Sequence, residues 1–139
     1  MVAVDVTAIL RTLVRSLPTV AAVAGTRIYV SADLPPGYDP KAVASAPALT
    51  GPAVVFSEKG GRPGITSVLL DVSYQARCYA ADQMTARDLD ARLVTALHDR
   101  SRGRIRAVRC ITTGQHVSDY PATGWHVYLS SWQVTAVIA

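Results

Sequence analysis

The sequence predicts one α+β domain spanning residues 1–139. The first sign is a long alternating run. Val68, Leu70, Val72, Tyr74, Ala76 and Cys78 share one face; Asp71, Ser73, Gln75 and Arg77 share the other, with Leu69 the one apolar intruder. Period-2 alternation over that length is a strand with one buried face. The second sign is the helix that this strand runs into: Asp82 offers an N-cap, and Met84, Leu89, Leu93, Ala96 and Leu97 mark an apolar stripe. The third is size. At 139 residues and 14.8 kDa the chain can enclose one core without metal or disulfide staples.

The other elements follow in order. Residues 5–17 read as a helix, with Asp5 as cap, Val6, Ile9, Leu10, Leu13, Val14 and Leu17 at helical spacing, and Pro18 as its end. Gly25 breaks the chain before a short strand, Thr26–Val30. Residues 33–52 hold Pro35, Pro36, Gly37, Pro40, Pro47, Gly51 and Pro52 without periodicity, a long loop. Such a segment buries too little surface to offset its ordering entropy, so it and 59–64 are expected to be mobile until neighbours order them. Ala53–Glu58 is a second strand, and Gly60-Gly61-Arg62-Pro63-Gly64 a hairpin turn. Past the second helix Gly103 is a stop, Arg104–Thr112 a strand, Gly114–Gly124 a turn region and Trp125–Ile138 the closing strand. The closing pattern changes phase at Ser130–Ser131, which a β-bulge would repair.

Composition narrows the function classes. Half the residues are hydrophobic, yet the apolar runs are a few residues long, far short of the roughly 20 that span a bilayer. Asp5 and the Arg11–Thr12 pair break the start and no charged region precedes it, so no signal peptide is expected. Cys78 and Cys110 read as two reduced thiols in strands; a bridge between neighbouring strands is the alternative. The charge is concentrated. Arg100, Arg102, Arg104, Arg106 and Arg109, less Asp99, carry the whole net +4, so the remainder is neutral. A basic segment of this kind attracts phosphates or an acidic partner surface, and it is equally a solvated helix end favoured by the helix dipole. If the stretch is extended, Arg102, Arg104 and Arg106 lie on one side, with Ile105 and Ala107 toward the core.

Catalytic patterns are not apparent. His98, His116 and His126 are scattered; His116 and His126 meet only if a hairpin joins them, and then without a third ligand. Glu58 is the one Glu, and the Asp residues fall at caps (Asp5, Asp82), on the exposed helix face (Asp88, Asp90) or in loops. Asp88 and Arg92 stand four apart as a helix ion pair. The glycine-rich 60–64 stretch lacks the Lys-Ser/Thr of a P-loop, and no G-x-S-x-G elbow occurs. No aromatic residue interleaves the arginines, as single-stranded nucleic acid would require. The residues therefore point to no enzyme and no cofactor.

The order of elements carries a resemblance. Val20-Ala21-Ala22-Val23-Ala24-Gly25-Thr26-Arg27-Ile28-Tyr29 after the first helix, then Gly51-Pro52-Ala53-Val54-Val55-Phe56, then Asp71-Val72-Ser73-Tyr74-Gln75-Ala76-Arg77-Cys78-Tyr79-Ala80 leading into Ala86–Leu97, resemble the tail terminator, or tail-completion, proteins of long-tailed bacteriophages. These motifs are structural, and the loop at 33–52 is longer than the family pattern. The resemblance implies a mixed, mainly antiparallel sheet with two helices on one face. It implies a ring of own copies, typically hexameric, that caps the tail tube, ends its polymerisation and receives the head. The implied partners are the tail tube protein, the head connector or neck protein and transiently double-stranded DNA in the channel, with no membrane and no cofactor; the implied place is the tail–neck region of a virion assembled in the host cytoplasm. Arg100, Arg102, Arg104, Arg106 and Arg109 are then candidates for lumen or partner contact, and Pro35, Pro36, Tyr38 and Arg62 for interface loops. A head-completion or neck connector protein, or a small nucleic-acid-binding module using Arg100–Arg109, are the alternatives.

Overall fold

The structure, a computed structural model, describes residues 5–30, 38–40, 50–63, 69–118 and 125–137. Its elements are α1 (Val6–Arg15), α2 (Pro18–Ala24), β1 (Ile28–Tyr29), β2 (Ala53–Pro63), β3 (Leu69–Ala80), α3 (Gln83–Leu97), β4 (Ile105–Ser118) and β5 (His126–Val137). The strands form one sheet in the order β1-β2-β3-β5-β4. The β1–β2 pair is parallel and the other pairs are antiparallel, as expected for a mixed, mainly antiparallel α+β sheet. Both β3 and β4 run antiparallel to β5, so α3 links two parallel strands across it.

Among the described residues the helices number three, not two. Pro18 ends α1 as expected but also opens α2, because its fixed φ suits the first helical position and its missing N–H costs nothing there. The two helices bend by 85°. The Asp5 carboxylate accepts from the Ala8 N–H at 3.0 Å, and Asp82 accepts from the Thr85 N–H at 2.9 Å, so both expected caps are formed. No single helix among the described residues is long and apolar enough to cross a membrane.

All three helices cover one sheet face. Val6, Leu10, Leu13, Val14, Val20, Ala86, Leu89, Leu93 and Leu97 meet Phe56, Tyr74, Cys78, Ile105, Val108, Trp132 and Val134 in one core. The opposite face carries a smaller cluster of Tyr38, Ala53, Val55, Tyr79 and Val127. On β3 the alternation is as read: Val72, Tyr74, Ala76 and Cys78 are buried.

Four local expectations need correction. The Gly60-Gly61 stretch is not the hairpin turn: β2 continues to Pro63, and its register with β3 slips between Glu58 and Gly61. Gly60, at φ 115°, supplies a bulge, and the connection falls at 64–68, outside the described residues. Residues 59–63 of the 59–64 segment are strand. In β5 there is no bulge at Ser130–Ser131: its register with β3 is unbroken from Leu69↔Val137 to Ala80↔His126. Tyr128, Ser130, Trp132, Val134 and Ala136 are buried in turn, while Val127 serves the smaller cluster, so the apparent phase change marks two buried faces. The bulges lie in β4, which also runs past Gly114 to Ser118. Last, Met84 is 75 % exposed; the buried stripe of α3 is Ala86, Leu89, Asp90, Leu93 and Leu97.

Candidate functional site

The arginine segment starts where α3 ends. Arg100 Nε donates to the Ala96 carbonyl at 2.9 Å and so satisfies an end group of the last turn. The chain then turns tightly: Arg102 and Ile105 exchange N–H···O bonds of 2.8 and 2.9 Å around Gly103, which sits at φ 55°. The extended run expected for 102–106 is therefore interrupted by a hairpin tip. Arg102 and Arg104 flank that tip, and Arg106 sits where the register with β5 slips between Ile105 and Ala107. Arg109 pairs with Gln133 on the face away from the helices, since its neighbours Val108 and Val134 belong to the main core. Ile105 is buried as expected, Ala107 is half-buried, and all five arginines are exposed.

The proposed loop residues are placed differently. Pro35 and Pro36 lie outside the described residues, and Arg62 is a β2 strand residue paired with Asp71. Tyr38 is 6 % exposed within its own chain. Its hydroxyl donates to the Gly51 carbonyl, and its ring meets Trp125 and Tyr79 edge-on at 5.7 and 6.4 Å. Burial pushes its hydroxyl pKa well up. Tyr38 is thus an intramolecular anchor for the proline-rich stretch, which the periodicity of the sequence did not signal.

The two cysteines stand on β3 and β4 with β5 between them, opposite Tyr128 and Trp132 respectively. Two strand spacings are about 10 Å, beyond the Cα separation a disulfide tolerates. Burial, reinforced by Asp90, raises both thiol pKa values. His116 and His126 do meet across the β4–β5 hairpin, Nε2 to Nδ1 at 3.1 Å with rings stacked. Among the described residues no three His, Cys, Asp or Glu side chains are grouped to hold a metal.

The feature that sequence reasoning missed is a groove between α3 and the bulged part of β4. It has a volume of about 430 Å³ and is lined by Arg87, Asp90, Ala91, Val94, Thr95, Thr113, Gly114 and Tyr128. The sequence places Asp90 on the exposed helix face, yet it is 4 % exposed. It lies four residues after Ala86 and three before Leu93, so the spacing puts it on the buried stripe. Its Oδ2 accepts from the Thr113 hydroxyl at 2.7 Å, and its Oδ1 is buried without a hydrogen-bond partner. Burial raises the Asp90 pKa; Thr113, the Gly114 N–H and the Ser130 hydroxyl oppose that rise. The same Ser130 hydroxyl accepts from Trp132 Nε1 at 2.8 Å. Asp90 thus keeps one buried carboxylate oxygen without a partner beside a slot whose walls include Ala91, Val94 and Tyr128.

No family model matches the chain, and no curated protein matches it. The fold has a counterpart among solved structures. A chain of a structure described as the virion of a native gene transfer agent (GTA) particle aligns over 95 % of this chain and 94 % of its own length. The TM-score is 0.68 at 18 % sequence identity. At that identity the likeness is one of fold.

Proposed function

We propose that the chain is a structural protein of a phage-like virion, one that assembles with its own copies into a ring closing the tail tube. The observation that carries this reading is the end-to-end fold likeness to a chain of a virion particle. The order of elements adds the narrower reading, a terminator that ends tube polymerisation and presents a docking surface to the head. In this role the protein works by surface fit rather than by bond chemistry, and its exposed arginines face the channel or an acidic partner.

The test is assembly. Purified chain is followed by light scattering and negative-stain microscopy, alone and with tail tube protein. Closed rings, or a discrete cap on tube ends, are expected. A chain that stays monomeric at high concentration under both conditions overturns the proposal. Replacing Arg102, Arg104 and Arg106 by Ser then asks what the arginines do: joining of heads to tails is expected to weaken, with a shallower salt dependence. Unchanged joining at every salt concentration returns them to a solvated surface.

A further inference from the structure

We propose that the α3–β4 groove is a receptor for an arginine side chain of a second copy of this chain, drawn from the Arg102–Arg109 segment and paired with Asp90. The inference rests on the reading above that copies assemble, and it names the contact between them.

The groove asks for a cationic donor. A buried carboxylate with an unserved oxygen is costly, and a charge-assisted hydrogen bond relieves that cost. Asp90 Oδ1 is in that state, buried behind the surface of a slot that Asp90 helps to line, so the entering group must part that surface slightly to reach it. Ala91, Val94 and Tyr128 give the walls an apolar surface suited to the methylene stem of an arginine, and Thr95 and Thr113 supply polar groups. Six other described carboxylates have local roles. Asp5 and Asp82 cap helices, Glu58 accepts from Thr7, Asp71 from Thr135, Asp88 pairs with Arg92 and Asp99 with His98.

The chain supplies the donor but cannot deliver it to itself. From Ile105 to Thr113 β4 covers about 26 Å at strand rise, before its bulges shorten it. That is several times the reach of a side chain from the hairpin tip. Arg109 is nearer along the strand but points from the helix-free face. Arg87, on the groove rim, makes no ion pair with Asp90. The positive patch and the acidic slot are thus two different surfaces of one subunit. Joining one to the other between copies is a heterologous contact, the kind that closes a ring.

The probe is a fluorescein-labelled peptide of residues 100–109, titrated with the full chain and read by anisotropy. Saturable binding that weakens with salt is expected. Asp90→Asn, which keeps the shape of the side chain, is expected to weaken it at least tenfold. Ala91→Arg, at an exposed position on the groove wall, is expected to abolish it by blocking the slot and adding like charge. Circular dichroism confirms that each variant is folded. Binding that survives both substitutions, or no binding by the wild-type chain, overturns the inference. The peptide assay is independent of ring formation. Peptide binding without rings would therefore sink the assembly reading, whereas rings unaffected by Asp90→Asn would sink this contact.

Discussion

Replacing Tyr38 by Ala removes the one described residue between 31 and 49 that fastens the proline-rich stretch to the sheet by its ring. A buried aromatic covers about 150–250 Å². At about 25 cal/mol per Å² the loss is about 4–6 kcal/mol, reduced to about 3–5 once a compact unfolded chain is allowed for. Direct large-to-small truncations of core aromatics fall in the same range of about 3–5 kcal/mol. The hydrogen bond to Gly51 contributes about 1 kcal/mol, so burial and not the hydroxyl dominates. Tyr38→Phe is therefore expected to cost about 1 kcal/mol, and Tyr38→Ala several times more. For a chain of this size the alanine variant should melt about 10–15 °C below wild type. Urea unfolding followed by circular dichroism measures the global loss, and amide exchange at Val55 and Tyr79 shows whether the helix-free face opens first. A Tyr38→Ala variant within 1 kcal/mol of wild type, with unchanged exchange at both amides, would refute the reasoning.

Three further outcomes are expected. Because burial raises the Asp90 pKa above its ordinary 3.8, the native chain holds that proton more tightly than the unfolded one; stability is fullest below about 3.8 and falls as pH rises toward the raised value. Asp90→Asn should therefore gain on wild type across that window, and parallel urea-midpoint curves would contradict this. Asp82 behaves oppositely: its pKa is lowered by the bond to Thr85, so its contribution is present above about 3.8 and is lost as pH falls through the folded value. Asp82→Ala should cost about 1 kcal/mol at neutral pH, and much less in acid, by thermal melts. Gly51 sits at φ 97°, where an added Cβ would come within 2.9 Å of Arg27 Nη2. That guanidinium is held by the Pro52 and Val23 carbonyls, so Gly51→Ala should cost about 1–3 kcal/mol, checked by urea titration.

Where a pattern had length, it was legible. The β3 alternation, the two Asp caps and the Asp88–Arg92 pair, at 2.8 Å, came from spacing alone. Where one residue type serves two structures, the reading slipped. Glycine supplies a turn or a bulge, and Gly60 was the latter. Proline ends one helix or starts another, and Pro18 does both, with α2 at seven residues too short to show periodicity. Polarity also misleads: Asp90 and Ser130 occupy core-facing positions where Asp90 accepts from Thr113 and Ser130 from Trp132, a tertiary arrangement that a single sequence does not display. The five arginines stand out in the sequence, but the Arg102–Ile105 turn that disperses them rests on Gly103, whose place after α3 signals only a stop.

The two ends of the strand order bear on how copies of this chain meet. One end is β1, two residues long; the other is β4, whose ladder slips at three places. A long, even edge of free N–H and C=O groups recruits strand after strand and has no built-in stopping point, which is how fibrils grow. Neither margin of this sheet offers such a template. Backbone pairing is thereby discouraged between neighbours, and contact falls to side chains, whose shapes and charges fit one orientation and saturate. In the ring proposed above, such contacts would let a fixed number of subunits join and then stop.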